Sequence, residues 1–173
     1  MILGMSISTF TSVHTALSLV GIFTGLVVLF GMFSSKRLEM WTAIFLFTTV
    51  LTSVTGFFFP VEKILPSHVV GVLSLLVLAV TLAALYMYRL AGNWRWLYVA
   101  TAVFALYLNV FVGVVQAFGK ISFLNALAPK QTDPAFIVAQ GLVLVLFVYL
   151  GIKALRTFHP AVTAAGMRGM TAA

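Results

Sequence analysis

Five long apolar runs, at residues 8–33, 41–59, 69–88, 94–118 and 136–155, fill most of the chain, and the short segments between them hold nearly every charge. Each is close to the ~20 residues that an α-helix needs to cross the hydrocarbon of a bilayer. Hydrocarbon offers no water to backbone N–H and C=O groups, so a spanning segment must be a helix or a strand of a closed barrel. Barrel strands need only ~10 alternating residues, and these runs are longer and uniformly apolar. With 62% hydrophobic and 8% charged residues, nothing is left over for a soluble domain. The expected fold is an all-α polytopic bundle of five transmembrane helices in one domain, residues 1–160, followed by a flexible tail, 161–173, of small and polar residues.

Orientation follows from the basic residues on alternate sides of five spans. Lys36, Arg37, Arg89, Arg95, Lys153, Arg156 and Arg168 fall on one side, and Lys63, Lys120 and Lys130 on the other. Seven against three places the first group in the cytoplasm, with the N-terminus outside and the C-terminus cytoplasmic. Trp41, Tyr86, Tyr88, Trp94, Trp96 and Tyr98 cluster at that inner boundary and are expected to form an aromatic belt. The net charge of +7 then describes loops that meet anionic lipid, not a nucleic-acid surface. The N-terminal segment has no basic region, and the apolar run after it exceeds the length of a signal sequence, so the first span is expected to remain in the protein. Pro60, Pro66, Gly92, Pro129 and Pro134 stand where the spans end. The stretch 121–127 in the longest connection is equally compatible with a short interfacial helix and with an Ω-like loop.

The polar residues inside the runs share a depth. His14 in the first run and His68 at the start of the third fall near the outer end, as do Gln116 and Gln140. Asn109, Gly113 and Gln116 lie on one face of the fourth helix, and Thr48, Thr52 and Thr55 on one face of the second. A polar face turned to lipid would leave its groups unsatisfied, so the expectation is an outward-opening polar cavity lined by His14, His68, Asn109, Gln116 and Gln140. Gly21 and Gly25 form a GxxxG pattern, which permits close helix approach, with packing inside the bundle favoured over a dimer interface.

Two classes of function fit. Side-chain amides commonly crosslink membrane helices, and a chain this small without a catalytic constellation fits a non-enzymatic structural or accessory subunit, bound to itself or to a larger membrane complex. Alternatively, His14 and His68 supply axial nitrogens to a b-type haem, with Gly21, Gly71 and Gly113 admitting the macrocycle, or help to form a quinone pocket with Gln116. The same two histidines with Met5 would make a thin copper ligand set. There is no cysteine, which excludes disulfides and thiol redox chemistry. The only acids, Glu39, Glu62 and Asp133, lie in loops, which disfavours a proton-driven pump.

The stretch ALYLNVFVGVVQAF at 105–118, with LAP at 127–129 and Gln140 downstream, resembles a group of small bacterial inner-membrane proteins of uncharacterised activity. PSHVVG at 66–71 and LAGNWR at 90–95 are similar to the same group. The resemblance covers the second to the fifth run. It implies a bacterial envelope origin and a chain that is all membrane domain, and it carries over no catalytic role.

Overall fold

A computed structural model describes residue 2 and residues 4–60 and 66–160 of the chain. Residues 61–65, with Glu62 and Lys63, and the tail 161–173, with Arg168, lie outside the described residues, so the expected flexible tail does too.

The described chain is helical: α1 is Ile7–Phe33, α2 Glu39–Gly56, α3 Pro66–Leu82, α4 Asn93–Lys120, α5 Ser122–Leu127 and α6 Pro134–Thr157. α3 continues directly into a π-helical turn, Ala83–Met87. Four of the helical segments, Ile7–Phe33, Ser67–Met87, Asn93–Lys120 and Pro134–Thr157, are long and apolar enough to cross a membrane. α2, with 18 residues and a run of threonines, is not among them. It starts at Glu39 and stops at Gly56, so the expected run to residue 59 ends in a turn at Phe57 and Phe58.

α2 packs against α1 and α3, and α4 against α3 and α1, which closes a ring of four helices. α6 lies outside that ring, against α4 and more lightly α1. Only Phe136, Phe147 and Ala154 of α6 are buried, whereas α4 buries Tyr98, Val99, Ala102, Val103, Ala105, Leu106, Leu108 and Phe118. The amphipathic fourth run has become the central helix, and the more uniformly apolar fifth has become a peripheral one.

Because lipid is as apolar as leucine, close packing and interhelical hydrogen bonds must hold these helices together. Small residues admit the closest contacts. A Cβ built on Gly25 would stand 2.6 Å from Leu106 Cδ1 and 2.8 Å from Phe45 Cε2, so both side chains fill the space a larger residue would take. The GxxxG pattern therefore packs inside the bundle. Threonines are tolerated because their hydroxyls donate to the preceding turn: Thr24 to the Val20 carbonyl, Thr48 to Ile44, Thr55 to Leu51 and Thr81 to Val77, all within 2.8 Å.

The long connection after α4 folds back on the bundle. Of the two forms open to 121–127, the helix forms, as α5, with Asn125 Nδ2 donating to the Phe118 carbonyl at 3.2 Å. A small apolar cluster of Phe118, Ala128 and Phe136 ties this connection to α4 and α6.

Candidate functional site

Two regions gather polar chemistry, one at each end of the bundle. At the end where α1 begins and α2 finishes, His14 Nδ1 lies 2.8 Å from Thr55 Oγ1, a hydrogen bond from α1 to α2. Its ring meets Phe59 edge-on, with centroids 5.2 Å apart. His68 is also at the end of α2, its ring centroid 5.7 Å from that of Phe57. Both histidines stand at this end of the bundle, and each imidazole meets a different phenylalanine of the segment that follows α2.

One layer deeper, Asn109 Nδ2 donates to Thr49 Oγ1 at 3.1 Å and links α4 to α2. A Cβ on Gly21 would stand 3.1 Å from Asn109 Nδ2 and 3.2 Å from both Thr48 Oγ1 and Thr49 Oγ1, so α1 closes over this bond through a glycine. Gln140 belongs to a different contact. Its Nε2 donates to the Phe111 carbonyl at 3.1 Å and joins α6 to α4. Gln116 is exposed. The five residues expected to line one cavity thus divide among the α1–α2, α2–α3, α2–α4 and α4–α6 contacts and the surface. Thr48 and Thr55, expected on the same polar face, bond carbonyls of their own helix. Two buried side-chain oxygens, Thr52 Oγ1 and Gln140 Oε1, have no partner among the described residues. No group of three or more His, Cys, Asp or Glu side chains that could hold a metal ion occurs among the described residues.

The opposite end holds most of the basic residues, and here the chain builds a cavity of about 150 Å³. Its buried floor is made by Met32 of α1, Thr42 of α2, Tyr98 of α4, and Leu85, Leu90 and Phe158. Its exposed mouth carries Lys36, Arg37, Glu39 and Tyr86. Tyr98 is expected in an interfacial aromatic belt, and the structure corrects this: it is only 3% exposed and lines the cavity beside Thr42. Tyr86, Tyr88 and Trp96 are exposed, as a belt requires, and Tyr88 stacks on Trp94 at 3.6 Å.

Local backbone shapes this end. The π-helical turn closes with Tyr88 N–H donating to the Ala83 carbonyl, and Arg89 and Leu90 then take left-handed φ values of 48° and 63°. Such values are uncommon for residues with a Cβ. The turn sends Leu90 back to the floor, where its N–H bonds the Ala84 carbonyl at 3.0 Å. The end of α6 is tied in by three bonds: Arg95 Nη1 to the Phe158 carbonyl at 2.5 Å, Thr157 Oγ1 to the Met32 carbonyl at 3.2 Å, and His159 N–H to Ser35 Oγ at 2.8 Å. Lys153 Nζ stands 4.6 Å from the centre of the Phe33 ring.

Sequence reasoning placed these basic residues together on one side but passed over the space between them. The available signal was Thr42, a polar residue one turn into α2 and across from Tyr98. Comparison with protein-family models, with curated proteins and with solved structures finds no match for this chain.

Proposed function

We propose that this chain is a small bacterial inner-membrane protein of five spans, N-terminus outside and C-terminus cytoplasmic, serving as a non-enzymatic structural or accessory subunit. One observation carries this reading: three polar side chains within the spans bond a neighbouring helix. His14 reaches Thr55, Asn109 reaches Thr49, and Gln140 reaches a backbone carbonyl of α4. Groups engaged in this way hold helices in register, which is the usual work of amides and hydroxyls in membranes.

α2 supplies the fifth span. Eighteen residues at 1.5 Å each extend about 27 Å, near the ~30 Å of the hydrocarbon core. It stands inside the bundle between α1 and α3; Thr48 and Thr55 bond carbonyls of their own helix, and Thr49 accepts from Asn109. The orientation rests on the gathering of Lys36, Arg37, Arg95, Lys153 and Arg156 at one end. The exposed flank of α6, with Leu142, Val145 and Tyr149 each more than 60% accessible, is the surface that lipid or a partner helix covers.

The test is a visible spectrum of detergent-purified protein from haem-replete cells, oxidised and then dithionite-reduced. A subunit of this kind gives featureless spectra. Sharp reduced bands at one haem per chain, lost in His14→Ala, would overturn the reading in favour of a b-type cytochrome. The chain has no cysteine, so topology is checked separately. A cysteine replacing exposed Ser122 reacts with an impermeant maleimide in intact cells, and one replacing exposed Ser34 reacts only after permeabilisation.

A further inference from the structure

We infer that the cavity at the basic end is a binding site for a phosphate-bearing headgroup, with Lys36 and Arg37 at its mouth holding the anion and the Tyr98–Thr42 pair beneath it. Its volume of about 150 Å³ is roughly ten times the ~15 Å³ that a single water requires, so it admits a group of headgroup size.

Two features point to an anion and a third to the group that carries it. First, the mouth carries two cations and one carboxylate, and Glu39 Oε1 sits 3.6 Å from Arg37 Nη2, which leaves Lys36 as the uncompensated charge. Second, α2 begins at this mouth with Leu38 as its N-cap residue and no side-chain cap bond, so the first N–H groups of the helix lack the usual acceptor. A helix N-terminus carries about half a positive charge and favours an anion there. Third, the floor sets the side chains of Tyr98 and Thr42 beside an apolar wall of Met32, Leu85, Leu90 and Phe158. That combination suits a phosphate attached to an apolar or glycerol-like group better than a free inorganic ion.

An uncommon backbone conformation lies beside this opening. Arg89 and Leu90 both adopt left-handed φ after the π-helical turn, and Leu90 lines the floor. π-helical turns of this sort recur at functional sites. The phosphate can come from the headgroup of a membrane lipid or from a soluble phosphate ester.

The sources separate in native mass spectrometry of the detergent-purified full chain. Phosphatidylglycerol is titrated as the lipid probe, glycerol 3-phosphate as the acyl-free probe and phosphatidylcholine as the zwitterionic control. One phosphatidylglycerol retained per chain in preference to phosphatidylcholine assigns the site to an anionic lipid. Glycerol 3-phosphate binding that competes with it assigns the phosphate site to a soluble ester. In either case Lys36→Gln and Arg37→Gln should each weaken binding about five-fold, from the ~1 kcal/mol that one basic residue contributes near a membrane surface. Glu39→Gln should strengthen it. Lys120→Gln, at the opposite end, should leave it unchanged.

Both basic side chains are exposed, so their replacement does not disturb the packed core. Retention of the phosphate probes by the Lys36→Gln, Arg37→Gln double variant at wild-type strength would overturn the inference, as would the absence of any bound phosphate probe on the wild-type chain.

Discussion

Asn109 and Thr49 meet across 3.1 Å where α4 faces α2, and Gly21 of α1 sits directly over the pair. The bond therefore lies where three of the four ring helices converge. Thr49 is 1% exposed, so its hydroxyl has no solvent to turn to if the amide is lost.

Removing that bond should cost a modest amount. Asn109→Ala is expected to lower stability by about 0.5–1.5 kcal/mol, in line with interhelical hydrogen bonds that average ~0.6 kcal/mol and reach ~1.7. A double-mutant cycle with Thr49→Ala, followed by denaturant titration in mixed micelles, isolates the coupling. A coupling near zero would mean that the two side chains merely lie side by side.

Gly25 and Gly141 should respond in opposite directions to the same substitution. A Cβ at Gly25 would come within 3 Å of Leu106 and Phe45, and overpacking of this kind costs about 1–3 kcal/mol. Gly141, within α6, has nothing within 4 Å of an added Cβ. There alanine should stabilise by about 0.5–1 kcal/mol through lower unfolded-state entropy and better helix propensity. Thermal unfolding of Gly25→Ala and Gly141→Ala in one detergent decides it. Equal effects would mean that the α1–α2–α4 contact is looser than the distances indicate.

Arg95 locks the end of α6 onto the start of α4. Its Nη1 donates to the Phe158 carbonyl at 2.5 Å and approaches the Leu155 carbonyl at 3.5 Å, where the helix leaves its last carbonyls without internal partners. Arg95→Ala should cost about 1–2 kcal/mol, the lower part of the range for a hydrogen bond to a charged group because the side chain is only half-buried. It should also raise hydrogen exchange across residues 153–158. Unchanged exchange there would show that Thr157 and His159 suffice to hold this end.

The histidines illustrate how far depth alone carries. His14 and His68 reach the same end of the bundle, as their places near the ends of successive parallel-running helices require. What each ring touches was not legible, because Phe57 and Phe59 lie beyond the last turn of α2 and are placed by the chain's exit from the helix. Gln116 shows the same limit from the other side. It shares a helical face with Asn109, yet it is exposed, while Phe118 two residues further along the same helix is buried against Ala128 and Phe136.

The sequence by itself determined that the chain is helical and membrane-sized, where most of its helices begin and end, and which basic residues share an end. Hydrophobic run length and charge are properties of contiguous residues, and the bilayer acts on them before any helix meets another. Only the tertiary structure decided that α4 is central and α6 peripheral, that Asn109 and Gln140 serve separate contacts, and that Tyr98 closes a cavity floor with Thr42. Those outcomes depend on which faces of different helices meet at distances of 3–4 Å. In a chain whose helices are apolar nearly all round, periodicity leaves that choice open, and close packing around glycines together with a few interhelical hydrogen bonds settles it.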